Sequence, residues 1–180
     1  MVLALLLQMA SAASGRACGF APDVVRSTGV SGLQIGMTVA QIRARCVVKA
    51  DRRDYDDEGS PIRMLDIGSG SGGLTVRLDR GRADNIWTAN KALRTAGGLG
   101  VDTPLVALLR QFPDLQGGQS EGGPLYVYSD RLCGISFQLG YKVSGRQYMR
   151  LGDNWRRSDL EQLPRSVRVV GVLITGCEAH

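Results

Sequence analysis

Histidine is almost missing: the one copy in 180 residues is the terminal His180. A Ser-His or Cys-His pair would have to use that residue, so triad-type nucleophilic catalysis is not expected. The four cysteines contain no Cys-x-x-Cys, which with the shortage of histidine argues against zinc, and no metal or cofactor is expected. Beyond the N-terminus no apolar run reaches about 18 residues, so no transmembrane helix is expected there. Residues 1–15 carry no charged side chain at all.

That uncharged start is informative. Val2 to Leu7 form a short apolar core, followed by a small-residue stretch with Ala10 and Ala12 at Ala-x-Ala spacing. This is the layout of a cleaved secretion signal, so residues 1–17 are expected to be a signal peptide and the mature chain periplasmic or secreted. Gly15-Arg16-Ala17 ahead of Cys18 does not match a lipoprotein site, so lipid attachment is not expected. An even cysteine count in an oxidising compartment favours disulfides. Four cysteines leave three connectivities open. Cys133 in a hairpin and Cys177 after the last strand are placed to be neighbours in one sheet, which leaves Cys18 with Cys46, tying the leader to the first helix.

What is present in the body of the chain is a pattern used twice. Leu74-x-Val76-x-x-Asp79-Arg80 returns as Leu125-x-Val127-x-x-Asp130-Arg131, each running into an apolar return strand. A helix-start signal precedes each copy. Thr38 and Gln41 form a capping box ahead of Val39, Ile42 and Cys46. Thr103 caps a second helix with Pro104 in its first turn and Leu105, Leu108, Leu109 and Phe112 as its apolar face. Leu74, Val76 and Leu78 alternate as a half-buried strand, and Val167 to Ile174 reads as a central one. Residues 51–60 and 117–124 read as loops, and 141–165 as irregular with a short helix around Ser158–Leu163. The expected fold is α+β: two helix-plus-antiparallel-hairpin repeats, residues 18–96 and 97–180, forming a mostly antiparallel sheet, the second repeat carrying the C-terminal strand.

Three stretches look chemical. Met64-Leu65-Asp66-Ile67-Gly68-Ser69-Gly70-Ser71-Gly72 resembles the first motif of S-adenosylmethionine-dependent methyltransferases, with Asp84 placed as a ribose-binding acid. That family needs a helix directly after the glycines, whereas Leu74 to Leu78 alternates as a strand, so a Gly/Ser hairpin loop is the preferred reading. Asp54-x-Asp56-Asp57-Glu58-Gly59 has the opening of a calcium loop, but its twelfth position is Leu65 instead of a bidentate Glu. Tyr141 to Arg157 interleaves bases with aromatics, and Tyr148, Arg150, Trp155, Arg156 and Arg157 are the candidate binding patch.

The net charge of +5 rests mainly on arginine and favours anionic surfaces. Gly36-Met37-Thr38 before a helix, followed by the Asp79-x-Gly81-Arg82 turn, resembles the small exported modules of the outer-membrane SmpA/OmlA lipoproteins. The tandem arrangement is similar to β-lactamase-inhibitor proteins, which grip a partner with two such modules. The resemblance implies the fold and a binding role only. The expected function is a non-catalytic binding module of the cell envelope, possessing inhibitor-like character, with a protein or anionic envelope component as partner. Nucleic acid is not the expected partner, and a monomer or weak dimer is expected.

Overall fold

The computed structural model describes residue 18 and residues 23–55, 59–68, 72–119 and 123–177. The signal-peptide expectation for 1–17, Asp56–Glu58 of the calcium reading, Ser69–Ser71 of the glycine motif and His180 lie outside the described residues. The chain is α+β. Three short strands, β1 (Val24–Val25), β2 (Gly29–Val30) and β3 (Leu33–Gln34), lead into helix α1 (Val39–Arg45). A four-strand meander follows: β4 (Val48–Tyr55), β5 (Pro61–Ile67), β6 (Leu74–Asp79) and β7 (Arg82–Thr88). After β8 (Arg94–Thr95) and helix α2 (Leu105–Gln111) come β9 (Gln116–Gly118), β10 (Tyr126–Tyr128) and β11 (Ile135–Leu139). Helix α3 (Gly145–Leu151), β12 (Asn154–Trp155), the one-turn α4 (Arg157–Leu160) and β13 (Val169–Ile174) complete it.

Nine of these strands form one sheet, in the order β12-β9-β10-β11-β13-β7-β6-β5-β4, with every pairing antiparallel. The last strand therefore lies in the middle, between β7 and β11, and makes the sheet continuous from one half of the chain to the other. Val169, Val172 and Ile174 are fully buried there, in keeping with the Val/Ile-rich run read as a central strand. Helix α1 starts as its capping box requires: Thr38 Oγ1 accepts from Gln41 N, and Gln41 Oε1 accepts from Thr38 N at 2.9 Å.

One face of the sheet and the helices share a core. Leu65, Ile67, Val76, Ile86, Phe137 and Val127 from the strands join Ile42 of α1, Leu105 and Leu108 of α2, and Leu160 of α4 in one cluster. Helix α3 contributes no buried residue. The opposite face of the sheet carries the alternate side chains and is half-exposed.

Several expectations need correcting. Residues 51–55 are not loop but most of edge strand β4. Its side chains from Lys49 to Tyr55 are exposed and mostly charged, which hid the strand from any apolar period and protects a sheet edge from pairing with another chain. The charges pair among themselves: Asp51 with Arg43 and Arg63, and Arg52 with Asp54 and Asp66. Gly117 and Gly118 lie in β9, not in a loop, and 141–165 contains α3, β12 and α4. Thr103 does not cap α2. Its hydroxyl accepts from Gly100 N, and Pro104 occupies the cap position with no side-chain bond. The reason is tertiary: Asp102 N and Thr103 O bond to Val169, so the helix start is docked on β13. The two Asp-Arg turns also differ. Arg80 and Gly81 both take positive φ in a two-residue hairpin turn, whereas Asp130–Leu132 coil into a single 3-10 turn.

Candidate functional site

The cysteines meet as the placement suggested. Cys18 and Cys46 are disulfide-bonded with 4.7 Å between Cα atoms, and Cys133 and Cys177 with 5.3 Å. The first bond ties the opening segment to the end of α1. The second joins the turn after β10 to the end of β13.

The structure divides the candidate patch of Tyr148, Arg150, Trp155, Arg156 and Arg157. Trp155 is not a surface anchor: on β12 it alternates with exposed Asn154 and turns into the core against Gly117, which has no side chain to block it. Its indole N–H has no acceptor among the described residues. Arg157 is structural. Its guanidinium donates to the carbonyls of Leu109 and Phe112 at 2.8 and 2.7 Å, closing the C-terminal end of α2, and pairs with Glu161. The Tyr148 hydroxyl donates to Asp153 at 2.8 Å. Arg150 and Arg156 remain exposed and without ion-pair partners among the described residues. Together with Gln116, Asn154 and Asp159, whose carboxylate accepts from the Arg156 backbone N–H at 3.0 Å, they line a polar recess of about 560 Å³ at the β12 edge.

Two rows of side chains on the half-exposed sheet face run into that recess. Register places Trp87, Leu173, Ser136, Tyr128 and Gln116 side by side on successive strands β7, β13, β11, β10 and β9. The neighbouring row runs Gly171, Gln138, Tyr126, Gly118 and Asn154. The last side chain of each row, Gln116 or Asn154, is also a wall of the recess. Trp87 is held in place: its Nε1–H donates to Gln138 Oε1 at 2.9 Å, across Gly171, where a side chain would not fit. Tyr128 packs beside Gly118, where a Cβ would meet its Cε1 at an ordinary 3.5 Å. Burial raises the Tyr126 phenol above its ordinary pKa, so it stays protonated.

This strip holds no charged residue, in a chain that is 22% charged. Elsewhere on the same face the charges are matched internally, Arg52 with Asp66 and Arg77 with Asp84. The strip is therefore an uncharged aromatic and amide surface that ends at a recess holding two arginines without ion-pair partners and the Asp159 carboxylate. Sequence reading missed Trp87, Tyr126, Tyr128, Gln116 and Gln138, because only the sheet order makes them neighbours.

The other chemical-looking motifs resolve into ordinary sheet structure. Asp66 sits within β5, accepting from Thr75 and Arg52, and β5 pairs with antiparallel β6 from Arg63 to Ile67. Asp84 is engaged by Arg77. Asp54 and Leu65 lie in the paired strands β4 and β5. Among the described residues no group of three or more acidic, His or Cys side chains is arranged to hold a metal ion. No described helix is long and apolar enough to cross a membrane. A larger recess, about 680 Å³, lies between β1, β8 and the Cys133–Cys177 bond.

No protein-family model and no curated protein matches the chain. Among solved structures it is similar to the uncharacterized protein yfeY from Escherichia coli, with a TM-score of 0.62 and 14% sequence identity. The match covers 84% of this chain and 99% of that one. At that identity the likeness concerns the fold.

Proposed function

We propose that the protein is an exported, disulfide-held binding module of the cell envelope with no catalytic role, engaging its partner through the strip that runs from Trp87 to the recess at Arg150 and Arg156. The observation that carries this reading is the strip itself. Tyr, Trp and Arg are the side chains that anchor interfaces, and here they occupy a sheet face that the core does not use. The two disulfides support an oxidising location. The resemblance to SmpA/OmlA modules and to the tandem inhibitor proteins supports reading α1 with β4–β7 and α2 with β9–β11 as two related units. The partner is a protein or an anionic envelope component.

In-cell photo-crosslinking tests this. A benzoylphenylalanine placed at Gln138 should give one discrete adduct in the native host, and the same probe at Tyr55 on the edge strand should not. Adducts from both positions, or from neither, would count against the strip as the binding surface.

A further inference from the structure

We infer that the partner of this surface is an acidic polysaccharide, its sugar rings lying along the Trp87–Gln116 row and an acidic substituent seated between Arg150 and Arg156. The inference rests on the binding reading above and adds the chemistry of the partner. Three observations on the strip point the same way.

The first is the pattern of unused hydrogen-bonding groups. The hydroxyls of Tyr126, Tyr128 and Ser136, the amide nitrogen of Gln138 and the side-chain amides of Gln116 and Asn154 make no hydrogen bond to any described residue. They alternate with the ring faces of Trp87 and Tyr128 on strands about 4.8 Å apart, a step comparable to the length of one pyranose unit. Flat C–H faces for the rings and many hydroxyls for the amides are what a sugar chain offers.

The second is the distribution of charge. A single-stranded nucleic acid brings a phosphate with each nucleotide and is met by cations along the whole groove. This strip has none until its end, where Arg150 and Arg156 lie beside the recess. A ligand that is neutral over several units and acidic at intervals fits that layout. The third is the kind of apolar surface on offer: the two rows present the flat rings of Trp87, Tyr126 and Tyr128 and a single aliphatic side chain, Leu173.

The test is calorimetric titration of the oxidised protein with oligogalacturonate and, in parallel, with a neutral cello-oligosaccharide. The acidic oligomer should bind, and the neutral one should bind more weakly. Tyr128→Ala should weaken both by about tenfold or more, at the scale of one lost stacking contact. Tyr128→Phe keeps the ring and should retain most of the affinity. Arg150→Gln with Arg156→Gln should weaken only the acidic oligomer and flatten its salt dependence. These side chains are half-exposed or exposed, and circular dichroism will report whether each variant is folded. Binding that falls with salt but ignores Tyr128→Ala would identify generic attraction to a basic protein and overturn the inference. So would no binding of either oligomer. In that case the crosslink at Gln138 separates the two readings: a protein adduct there leaves the binding module standing with a protein partner, and no adduct removes both.

Discussion

Gly171 is the position where the architecture of the strip can be tested by adding a single methyl group. An added Cβ would lie 2.7 Å from Trp87 Nε1, 3.0 Å from its Cε2 and 3.1 Å from Gln138 Oε1. The indole and the amide cannot both stay, so the Trp87–Gln138 hydrogen bond must break. Its loss costs about 1 kcal/mol, and forcing a side chain into an occupied space costs about 1–3 kcal/mol. The strand backbone at Gly171 has an ordinary φ, so alanine recovers roughly 0.5–1 kcal/mol through the unfolded chain. The net expectation for Gly171→Ala is a destabilisation of about 2 kcal/mol, read by urea unfolding of the oxidised protein. Gly118→Ala is the control, because its Cβ would meet Tyr128 Cε1 at an ordinary 3.5 Å. It should leave stability unchanged or raise it by up to about 1 kcal/mol. Equal effects at the two glycines, or none at Gly171, would refute the placement of Trp87 over β13.

Other expectations follow from particular contacts. Arg157→Ala should destabilise by about 2 kcal/mol in the same assay, since two charge-assisted bonds to the end of α2 are lost, with partial recovery in Arg157→Lys. Replacing both Cys133 and Cys177 by Ser opens a link spanning 44 residues and should cost about 4 kcal/mol on the chain-entropy account; a cost near zero would argue against a native bond there. The hydrogen bond from Arg63, seconded by Arg43, holds the Asp51 carboxyl down at about 2, against an ordinary 3.8. A depressed acid contributes stability that is present above the ordinary value and disappears as pH falls through the folded one. The parent should therefore lose more stability than Asp51→Asn over that acid interval, measured by urea midpoints at each pH.

Features set by near neighbours in sequence were legible, and those set by sheet order were not. Thr38 and Gln41 are three residues apart, so their capping box could be read directly, as could the alternation of Leu74, Val76 and Leu78. Cys133 and Cys177 were placed by the hairpin and final strand on which they lie. Strand β4 was hidden because Lys49 to Asp54 are polar on both faces, and an edge strand needs no apolar period. Trp155 looked like a surface anchor amid Arg150, Arg156 and Arg157. Its burial depends on Gly117, whose bare backbone lies opposite it on β9. The strip was the least legible feature: Trp87, Ser136, Tyr128 and Gln116 become one row only because β13 inserts between β7 and β11.

The proposed function depends most on the chain lying outside the cytosol in oxidised form. The measurement that tests this most directly is the intact mass of the protein from its native host, with thiols alkylated before and after reduction. An exported, oxidised protein should show loss of the leader ahead of Cys18, no alkylation before reduction and four alkylated cysteines after it. A chain that retains its leader and carries four reactive thiols would contradict the proposed function.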